Sequence, residues 1–328
     1  MKAILFTKYG SPDVLQLREV ETPTPGEDQV LVKVHAASAN PLDWHRMRAK
    51  PFLVRLGDGL FKPKDTRIGA DIAGRVAAIG RNVTEFKPDD EVFGVCSGGF
   101  AEYAVARETR LALKPANLSF EAAAAVPVAA FTALEGLRDK GQIQAGQRVL
   151  INGASGGVGT FAVQIAKSYG AEVTGVCSTK NLSMVRSIGA DHLVDYTRED
   201  FTRNGQQYDL IYDAVGNRSV FDYERALRPQ GKCVIAGFTN MPRLLAQMIL
   251  GPRVSKARGK HIVGQGMAAT PKQNLLVIRE LLESGKVIPV IDRSYTLADA
   301  AEAIRYLEQG HARGKVVITV EYNNDQPR

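Results

Sequence analysis

The residues best suited to chemistry form a glycine-rich turn at 153–159, with the sequence Gly-Ala-Ser-Gly-Gly-Val-Gly. A buried-strand pattern at 149–152 precedes the turn, a helix pattern at 160–170 follows it, and a second strand pattern covers 172–177. A dinucleotide-binding unit requires this order, because a turn without bulky side chains lets the backbone approach a pyrophosphate. The helix N-terminus adds unpaired N–H groups and partial positive charge. Gly156, Gly157 and Val158 are expected to contact the pyrophosphate through backbone groups, and Ser155 is expected to be a further cofactor-binding residue.

The residues after the second strand indicate which dinucleotide is bound. NAD-binding units place an acidic residue about 20 positions after the glycine turn. The corresponding segment here, 178–181, reads Ser-Thr-Lys-Asn, and no Asp or Glu occurs between residues 173 and 190. An acid would repel a 2′-phosphate, whereas Ser178 and Lys180 would bind one, with Arg186 as a further source of positive charge. The sequence therefore predicts NADPH rather than NADH.

Length and composition describe an ordinary globular protein. The 328 residues suffice for two domains, with 45% hydrophobic and 23% charged residues. The sequence contains no run of 18 uncharged apolar residues, so it does not predict a membrane-spanning helix. The three cysteines lie far apart in the sequence, which predicts neither a disulfide framework nor a cysteine zinc cluster and favours a reducing, cytoplasmic setting. The net charge of +7 suits phosphorylated cofactors or anionic membrane surfaces, but the basic residues are too dispersed to predict nucleic-acid binding.

The hydrophobic pattern changes along the chain and predicts two domains. Residues 1 to about 120 are β-rich, with strand signals at 30–36 and 69–80, whereas strands and helices alternate from about 121 to 265. Alternation of this kind predicts a doubly wound parallel sheet. The C-terminal part is predicted to contain a helix at 271–284, a strand near 288–291, a helix at 297–307 and a strand at 314–320. We therefore expect an α/β protein in which a cofactor domain, 122–267, is inserted into a discontinuous β-rich domain, 1–121 and 268–328.

Six short motifs occur along the chain in a characteristic order, at residues 40–43, 99–103, 153–160, 178–180, 195–196 and 313–316. Through these motifs the chain resembles the medium-chain dehydrogenase/reductase superfamily, and within it the zinc-free quinone oxidoreductase branch. Ala154, which replaces the first glycine of the GxGxxG pattern, is typical of this branch. The resemblance covers nearly the whole chain. It implies a GroES-like domain and a Rossmann domain with the ligand cleft between them, and a homodimer, for which we expect the edge strand near 260–264 to pair with its copy.

The resemblance also raises the question of zinc. Zinc-dependent members place a cysteine at the position of Asn40 and a Gly-His-Glu motif where this chain has Gly-Ala-Asp at 69–71. Neither thiolate nor imidazole remains at these positions, so no metal is expected. Without a Lewis acid, reduction of simple ketones is harder, whereas quinones and α,β-unsaturated carbonyls spread the incoming charge so that hydrogen bonds can hold it. The sequence therefore predicts an NADPH-dependent, metal-free reductase of quinones or enones.

Further site residues are implied by the resemblance. The family places residues 40–43 at the cleft, which makes Asn40 and Asp43 candidates for catalysis. Asn40 would bind the nicotinamide ribose or the substrate oxygen. The simpler interpretation is a turn at Asn40-Pro41 with Asp43 capping a helix. The other implied contacts are Tyr196 near the adenine, Phe238 near the nicotinamide, and His311 and Arg313 in a loop that approaches the cofactor phosphates.

Two interpretations stay open. Residues 241–260 carry five basic residues and no acidic one, with an apolar stretch at 244–250. This segment is expected to form a lid or a dimer contact, with a membrane-surface helix as the minority interpretation. No residue is identified as the proton donor, so an NADPH-binding regulatory or structural protein with little turnover is the alternative function. A zinc-free alcohol dehydrogenase is a further one.

Overall fold

The computed structural model describes residues 1–52, 54–266 and 272–322. The chain divides into two compact units. The first comprises Met1–Val128, Thr270–Glu283 and Pro289–Arg328, as far as these residues are described, and the second comprises Ala129–Ala269 and Ser284–Ile288. The first boundary thus lies at 128/129, compared with 121/122 from the sequence, and a short C-terminal piece belongs to the second unit.

The secondary structure follows the predicted change from a β-rich to an alternating pattern. The described strands are β1 (Lys2–Leu5), β2 (Gln16–Glu19), β3 (Gln29–Ala39), β4 (Asp71–Ile79), β5 (Glu91–Val95), β6 (Tyr103–Arg107), β7 (Leu111–Leu113), β8 (Arg148–Asn152), β9 (Glu172–Cys177), β10 (His192–Asp195), β11 (Tyr208–Asp213), β12 (Leu227–Ile235), β13 (His261–Gly264), β14 (Ile291–Thr296) and β15 (Lys315–Thr319). The described α-helices are α1 (Pro41–Arg48), α2 (Val54–Asp58), α3 (Phe120–Ala124), α4 (Pro127–Leu134), α5 (Gly157–Ser168), α6 (Leu182–Ser187), α7 (Val220–Ala226), α8 (Met241–Arg258), α9 (Lys272–Glu283) and α10 (Ala300–Glu308).

The first unit is built on a seven-stranded sheet with the order β14-β15-β3-β4-β5-β7, in which β6 also pairs with β3. Strand β3 is antiparallel to both β4 and β15. Its register pairs Ser38 with Asp71 and Ala39 with Val316. Because neighbouring antiparallel strands run in opposite directions, the end of β3 meets the beginnings of β4 and β15 at one edge of the sheet. This edge positions the polar cluster of the first unit.

The second unit is a six-stranded parallel sheet with the order β10-β9-β8-β11-β12-β13. The residues of β8 from Val149 to Ile151 are fully buried, as expected for a central parallel strand. Numbered from β8, the strand order is 3-2-1-4-5-6, the order of dinucleotide-binding folds. The predicted doubly wound sheet is therefore confirmed. Its order reverses between β8 and β11, and ligands of such sheets bind outside the strand ends at this point.

The connection before β14 differs from the prediction. A strand was expected near 288–291, but β14 begins at Ile291. The amide nitrogen of Ile288 donates to Gln164 Oε1 (2.8 Å), and Gln164 Nε2 donates to the carbonyl of Ile288 (2.9 Å). The backbone of Ile288 therefore pairs with a side chain of α5 and not with a strand. Within the described residues, no helix is long and apolar enough to span a bilayer.

Candidate functional site

The glycine turn joins β8 to α5 in the second unit. Gly153 has a φ of +81°, a conformation that favours glycine. A Cβ atom on Gly159 would lie 2.0 Å from the carbonyl oxygen of Gly153, so only glycine lets the helix pack this closely on the turn. The helix begins at Gly157 after the N-cap Gly156, and no side chain caps it. Its first N–H groups lack intrahelical acceptors and fit the pyrophosphate of a dinucleotide.

Two polar residues that the sequence analysis missed lie at the point where the strand order reverses. Asn152 ends β8 and donates from Nδ2 to Asp213 Oδ2 (3.0 Å) at the end of β11. The other oxygen of Asp213 accepts the amide hydrogens of Val215 and Gly216, each at 2.7 Å. This network fixes the turn after β11 against the end of β8. The signal in the sequence was a polar residue at the end of each strand, directly after the apolar residues 149–151 in β8 and after 210–212 in β11.

The segment after β9 carries the predicted 2′-phosphate residues. Ser178 is buried at the start of a short 3₁₀ turn, Thr179–Asn181, whereas the side chain of Lys180 is exposed. In the part of the chain that the structure describes, Lys180 forms no ion pair. An exposed ammonium group without an ion-pair partner among the described residues can bind an anion at this position.

An acidic residue nevertheless lies beside this segment. Strands β9 and β10 are neighbours, and their register pairs Cys177 with Asp195. Asp195 accepts hydrogen bonds from the hydroxyl of Thr179 on one oxygen (2.5 Å) and from the hydroxyl and amide of Thr197 on the other (2.7 and 3.0 Å). The hydrogen bond from Thr179 lowers the pKa of Asp195 below its ordinary value. The prediction counted acids only up to residue 190 and so missed this carboxylate.

The remaining predicted cofactor residues fall into two groups. Tyr196 follows β10 with its ring half-exposed, and the partly buried Phe238 follows β12, so both lie at strand ends of the second unit. His311 and Arg313 are exposed residues of the first unit, in the connection from α10 to β15. The amide of Arg313 donates to Asp292 Oδ2 (3.0 Å). The contacts of these four residues with a cofactor stay predictions.

A buried polar cluster forms where β3, β4 and β15 meet in the first unit. The ammonium group of Lys315, which is 3% exposed, donates to Asn40 Oδ1 (2.6 Å) and lies 3.3 Å from Asp71 Oδ2. The amide group of Asn40 donates to Asp71 Oδ2 (2.9 Å) and to the carbonyl oxygen of Ser38 (3.2 Å). Asp71 is fully buried and also accepts the hydroxyl of Ser38 (2.8 Å). Lys315 was not predicted as a site residue, although it belongs to the motif at 313–316.

The two candidate catalytic residues are engaged within the first unit. Both N–H groups of the Asn40 amide donate to neighbours, and its oxygen accepts from Lys315. Asp43 accepts the backbone N–H groups of Asn40 (2.8 Å) and Gly69 (3.2 Å), so it caps the start of α1. Burial raises the pKa of Asp43 to about 7, with a smaller contribution from the charge of Asp71. Both side chains therefore hold the local backbone in place, as in the simpler interpretation, and their role in catalysis stays a prediction.

The polar groups of this cluster surround the ammonium group of Lys315 and do not form a set of metal ligands. An amide, a carboxylate and an ammonium group converge, whereas zinc sites use thiolates, imidazoles and carboxylates. Cys96 lies near the cluster, but burial raises the pKa of its thiol, with Asp71 adding to the effect, so the thiolate that binds zinc is disfavoured. Among the described residues, no three His, Cys, Asp or Glu side chains are grouped to hold a metal ion.

Comparison with known proteins is consistent with this architecture. Residues 26–116 match the family described as alcohol dehydrogenase GroES-like domain, and residues 188–318 match the family described as zinc-binding dehydrogenase. The chain is 37% identical to a 2-methylene-furan-3-one reductase of Solanum lycopersicum, over 97% of this chain and 79% of that protein. It is 35% identical to an NADPH-dependent alkenal/one oxidoreductase of Arabidopsis thaliana, with the same two coverages.

A solved structure gives the same result for the fold. The quinone oxidoreductase from Coxiella burnetii is 31% identical to this chain and superposes with a TM-score of 0.86, covering 98% of this chain and 99% of that one. At this coverage the similarity extends over both units. The chain therefore belongs to the medium-chain dehydrogenase/reductase superfamily, in its quinone oxidoreductase branch.

Proposed function

We propose that this chain is an oxidoreductase that uses NADPH to reduce quinones or α,β-unsaturated carbonyl compounds without a metal. The observation that carries the proposal is the segment after β9, where Ser178 is followed by Lys180, an exposed lysine with no ion pair among the described residues. Strand β9 pairs with β8, which leads through the glycine turn into α5, and no side chain caps the N-terminus of that helix. The names of the relatives support it, because they include an NADPH-dependent alkenal/one oxidoreductase and quinone oxidoreductases.

The state of Asp195 supports NADPH over NADH. In NAD-binding units a free carboxylate accepts hydrogen bonds from the adenosine ribose. Here both oxygens of Asp195 already accept from Thr179 and Thr197. Lys180, which forms no ion pair among the described residues, is a charged group available to the adenosine end, and a lysine is attracted to a 2′-phosphate.

The buried cluster supports conjugated acceptors. When bound, NADPH supplies the hydride, and the protein must orient it and stabilise charge on the acceptor oxygen. Asn40, Asp71 and Lys315 offer no metal ligand set, so Lewis-acid polarisation of an isolated ketone has no support in the donor groups. A quinone or an enone delocalises the charge of the added hydride and needs only hydrogen bonds.

An NADPH-binding protein with little turnover is the second candidate function. It is favoured by the hydrogen bonds of the two predicted catalytic residues. The side chains of Asn40 and Asp43 both bind neighbouring residues of the first unit. A cytoplasmic location and a homodimer remain predictions from the sequence and the family.

A matched pair of acceptors tests the proposed function. Initial rates of NADPH oxidation would be measured in EDTA with 1,4-naphthoquinone, with a short aliphatic enone and with the saturated ketone of the same carbon skeleton. The proposal expects steady turnover with the quinone or the enone and at least tenfold slower turnover with the saturated ketone. Tight NADPH binding without turnover on any acceptor would favour the second candidate function.

A further inference from the structure

Asn181 connects the two segments that are proposed to bind the cofactor. It ends the 3₁₀ turn after β9, and its Nδ2 donates to Ser155 Oγ (3.0 Å) in the glycine turn after β8. The two turns are adjacent because β8 and β9 are parallel neighbours whose register pairs Asn152 with Val176. The side chain of Asn181 is 6% exposed, so the contact is fixed in a buried setting.

The direction of this hydrogen bond determines what Ser155 can do. A serine hydroxyl has one hydrogen to donate and two lone pairs to accept. Because the amide nitrogen of Asn181 is the donor, the Ser155 oxygen accepts, and its own hydrogen points elsewhere. No acceptor for that hydrogen is found among the described residues. Ser155 therefore keeps a donor available beside the 178–181 segment.

The oxygen atom of the same amide group, Asn181 Oδ1, supports the interpretation that this side chain serves the contact with Ser155. Asn181 Oδ1 is buried and has no hydrogen-bond partner within the described residues. An unpartnered buried oxygen destabilises the fold, so a purely structural site would favour an apolar residue of similar size. Among the described residues, the side chain of Asn181 forms one hydrogen bond, to Ser155.

We propose that Asn181 is a positioning residue that orients the Ser155 hydroxyl as a donor to the 2′-phosphate of NADPH. The neutral amide achieves this without placing a negative charge near the phosphate, which an aspartate at the same position would do. The proposal rests on the proposed function, since it presupposes NADPH as the cofactor. It adds two residues, Asn181 and the side chain of Ser155, to the groups that select NADPH.

A double-mutant cycle on fragment binding tests the proposal without turnover. The variants are Ser155→Ala, Asn181→Leu and the double variant, and calorimetry would measure Kd for adenosine 2′,5′-bisphosphate and for AMP, which lacks the 2′-phosphate. Each single variant is expected to weaken bisphosphate binding roughly tenfold, as for loss of a hydrogen bond to a charged group, and to leave AMP binding within about twofold. The double variant is expected to bind the bisphosphate no more weakly than Ser155→Ala, because Asn181 acts through Ser155.

Other outcomes contradict the proposal. Equal losses for AMP and the bisphosphate would mean that the pair serves the fold or the 5′-phosphate, and additive losses would mean that Asn181 does not act through Ser155. If Asn181→Leu does not fold, Asn181→Asp replaces it. The new carboxylate would accept the Ser155 hydrogen and keep it from the 2′-phosphate. Asn181→Asp should therefore weaken bisphosphate binding more in the wild-type background than in the Ser155→Ala background. A wild-type chain that binds the two fragments equally well would instead contradict the proposed use of NADPH.

Discussion

At the scale of single residues, the buried ion pair between Lys315 and Asp71 joins β15 to β4 in the first unit. Both groups are almost fully buried, and their separation in sequence is 244 residues. Desolvating two charges is costly, and only their mutual attraction and the added hydrogen bonds offset the cost. Asn40 and Ser38 provide those hydrogen bonds.

Replacing Lys315 should therefore strongly destabilise the protein. In Lys315→Met the carboxylate of Asp71 stays buried without its counter-charge, and the free energy of unfolding should fall by about 3–5 kcal/mol. Urea denaturation would measure it, with Lys286→Met as the control that removes an exposed lysine. Adding Asp71→Asn should recover part of the loss. A variant as stable as the control would show that the pair contributes little.

Lys180 should select the cofactor. Lys180→Met is expected to raise the Kd for NADPH roughly tenfold, because it removes a charge-assisted hydrogen bond to the 2′-phosphate, and to change the Kd for NADH less than about twofold. Cofactor fluorescence would report both constants. Lys286→Met, which removes the same charge elsewhere in the second unit, is the matched control. Equal losses for the two cofactors would place Lys180 away from the 2′-phosphate.

Asp43 should give stability a defined pH dependence. Burial raises its pKa in the folded protein to about 7 from an ordinary value near 3.8, so the unfolded chain releases this proton at lower pH than the folded chain. The contribution of Asp43 to stability is therefore present at low pH and is lost as the pH rises from about 4 to about 7. The unfolding free energy of wild type minus that of Asp43→Asn should fall over this interval. A difference that stays constant with pH would contradict the assignment.

At the scale of elements, the glycine turn was predicted well because its signal is local. A buried strand, small turn residues and a largely apolar helix follow one another within 30 residues. By contrast, the sequence did not indicate that β10 places Asp195 beside Thr179, or that β15 brings Lys315 to the end of β3. These approaches depend on strand register between distant segments, which no local pattern encodes.

Two glycines of the turn should differ sharply when replaced. In Gly159→Ala the new Cβ would lie 2.0 Å from the Gly153 carbonyl oxygen, so α5 must move, at a cost of about 1–3 kcal/mol or more. In Gly156→Ala the nearest contact is 3.4 Å, so the fold should remain within about 1 kcal/mol of wild type. Thermal unfolding of the two variants compares them directly. Similar stabilities would contradict the close packing of α5 on the turn.

At the scale of the whole molecule, the fold class and the family were predictable and the site only in part. The change from a β-rich to an alternating pattern predicted two domains, with a first boundary at 121/122 where the compact units divide at 128/129, and six motifs identified the branch. The sequence named Asn40 and Asp43 from their place in a motif, but it did not show that their hydrogen-bonding groups are already occupied. Whether a polar group already has hydrogen-bond partners depends on its neighbours in three dimensions, and a single sequence does not reveal these.

We propose that the cofactor of this reductase is NADPH. The most direct test is the ratio of kcat/KM for NADPH to kcat/KM for NADH, measured with one quinone at fixed concentration in the presence of EDTA. We predict a ratio of at least roughly ten, because a charge-assisted contact to the 2′-phosphate exists only with NADPH. A ratio of one or below, with measurable turnover, would contradict it and would mean that the segment after β9 does not recognise a 2′-phosphate.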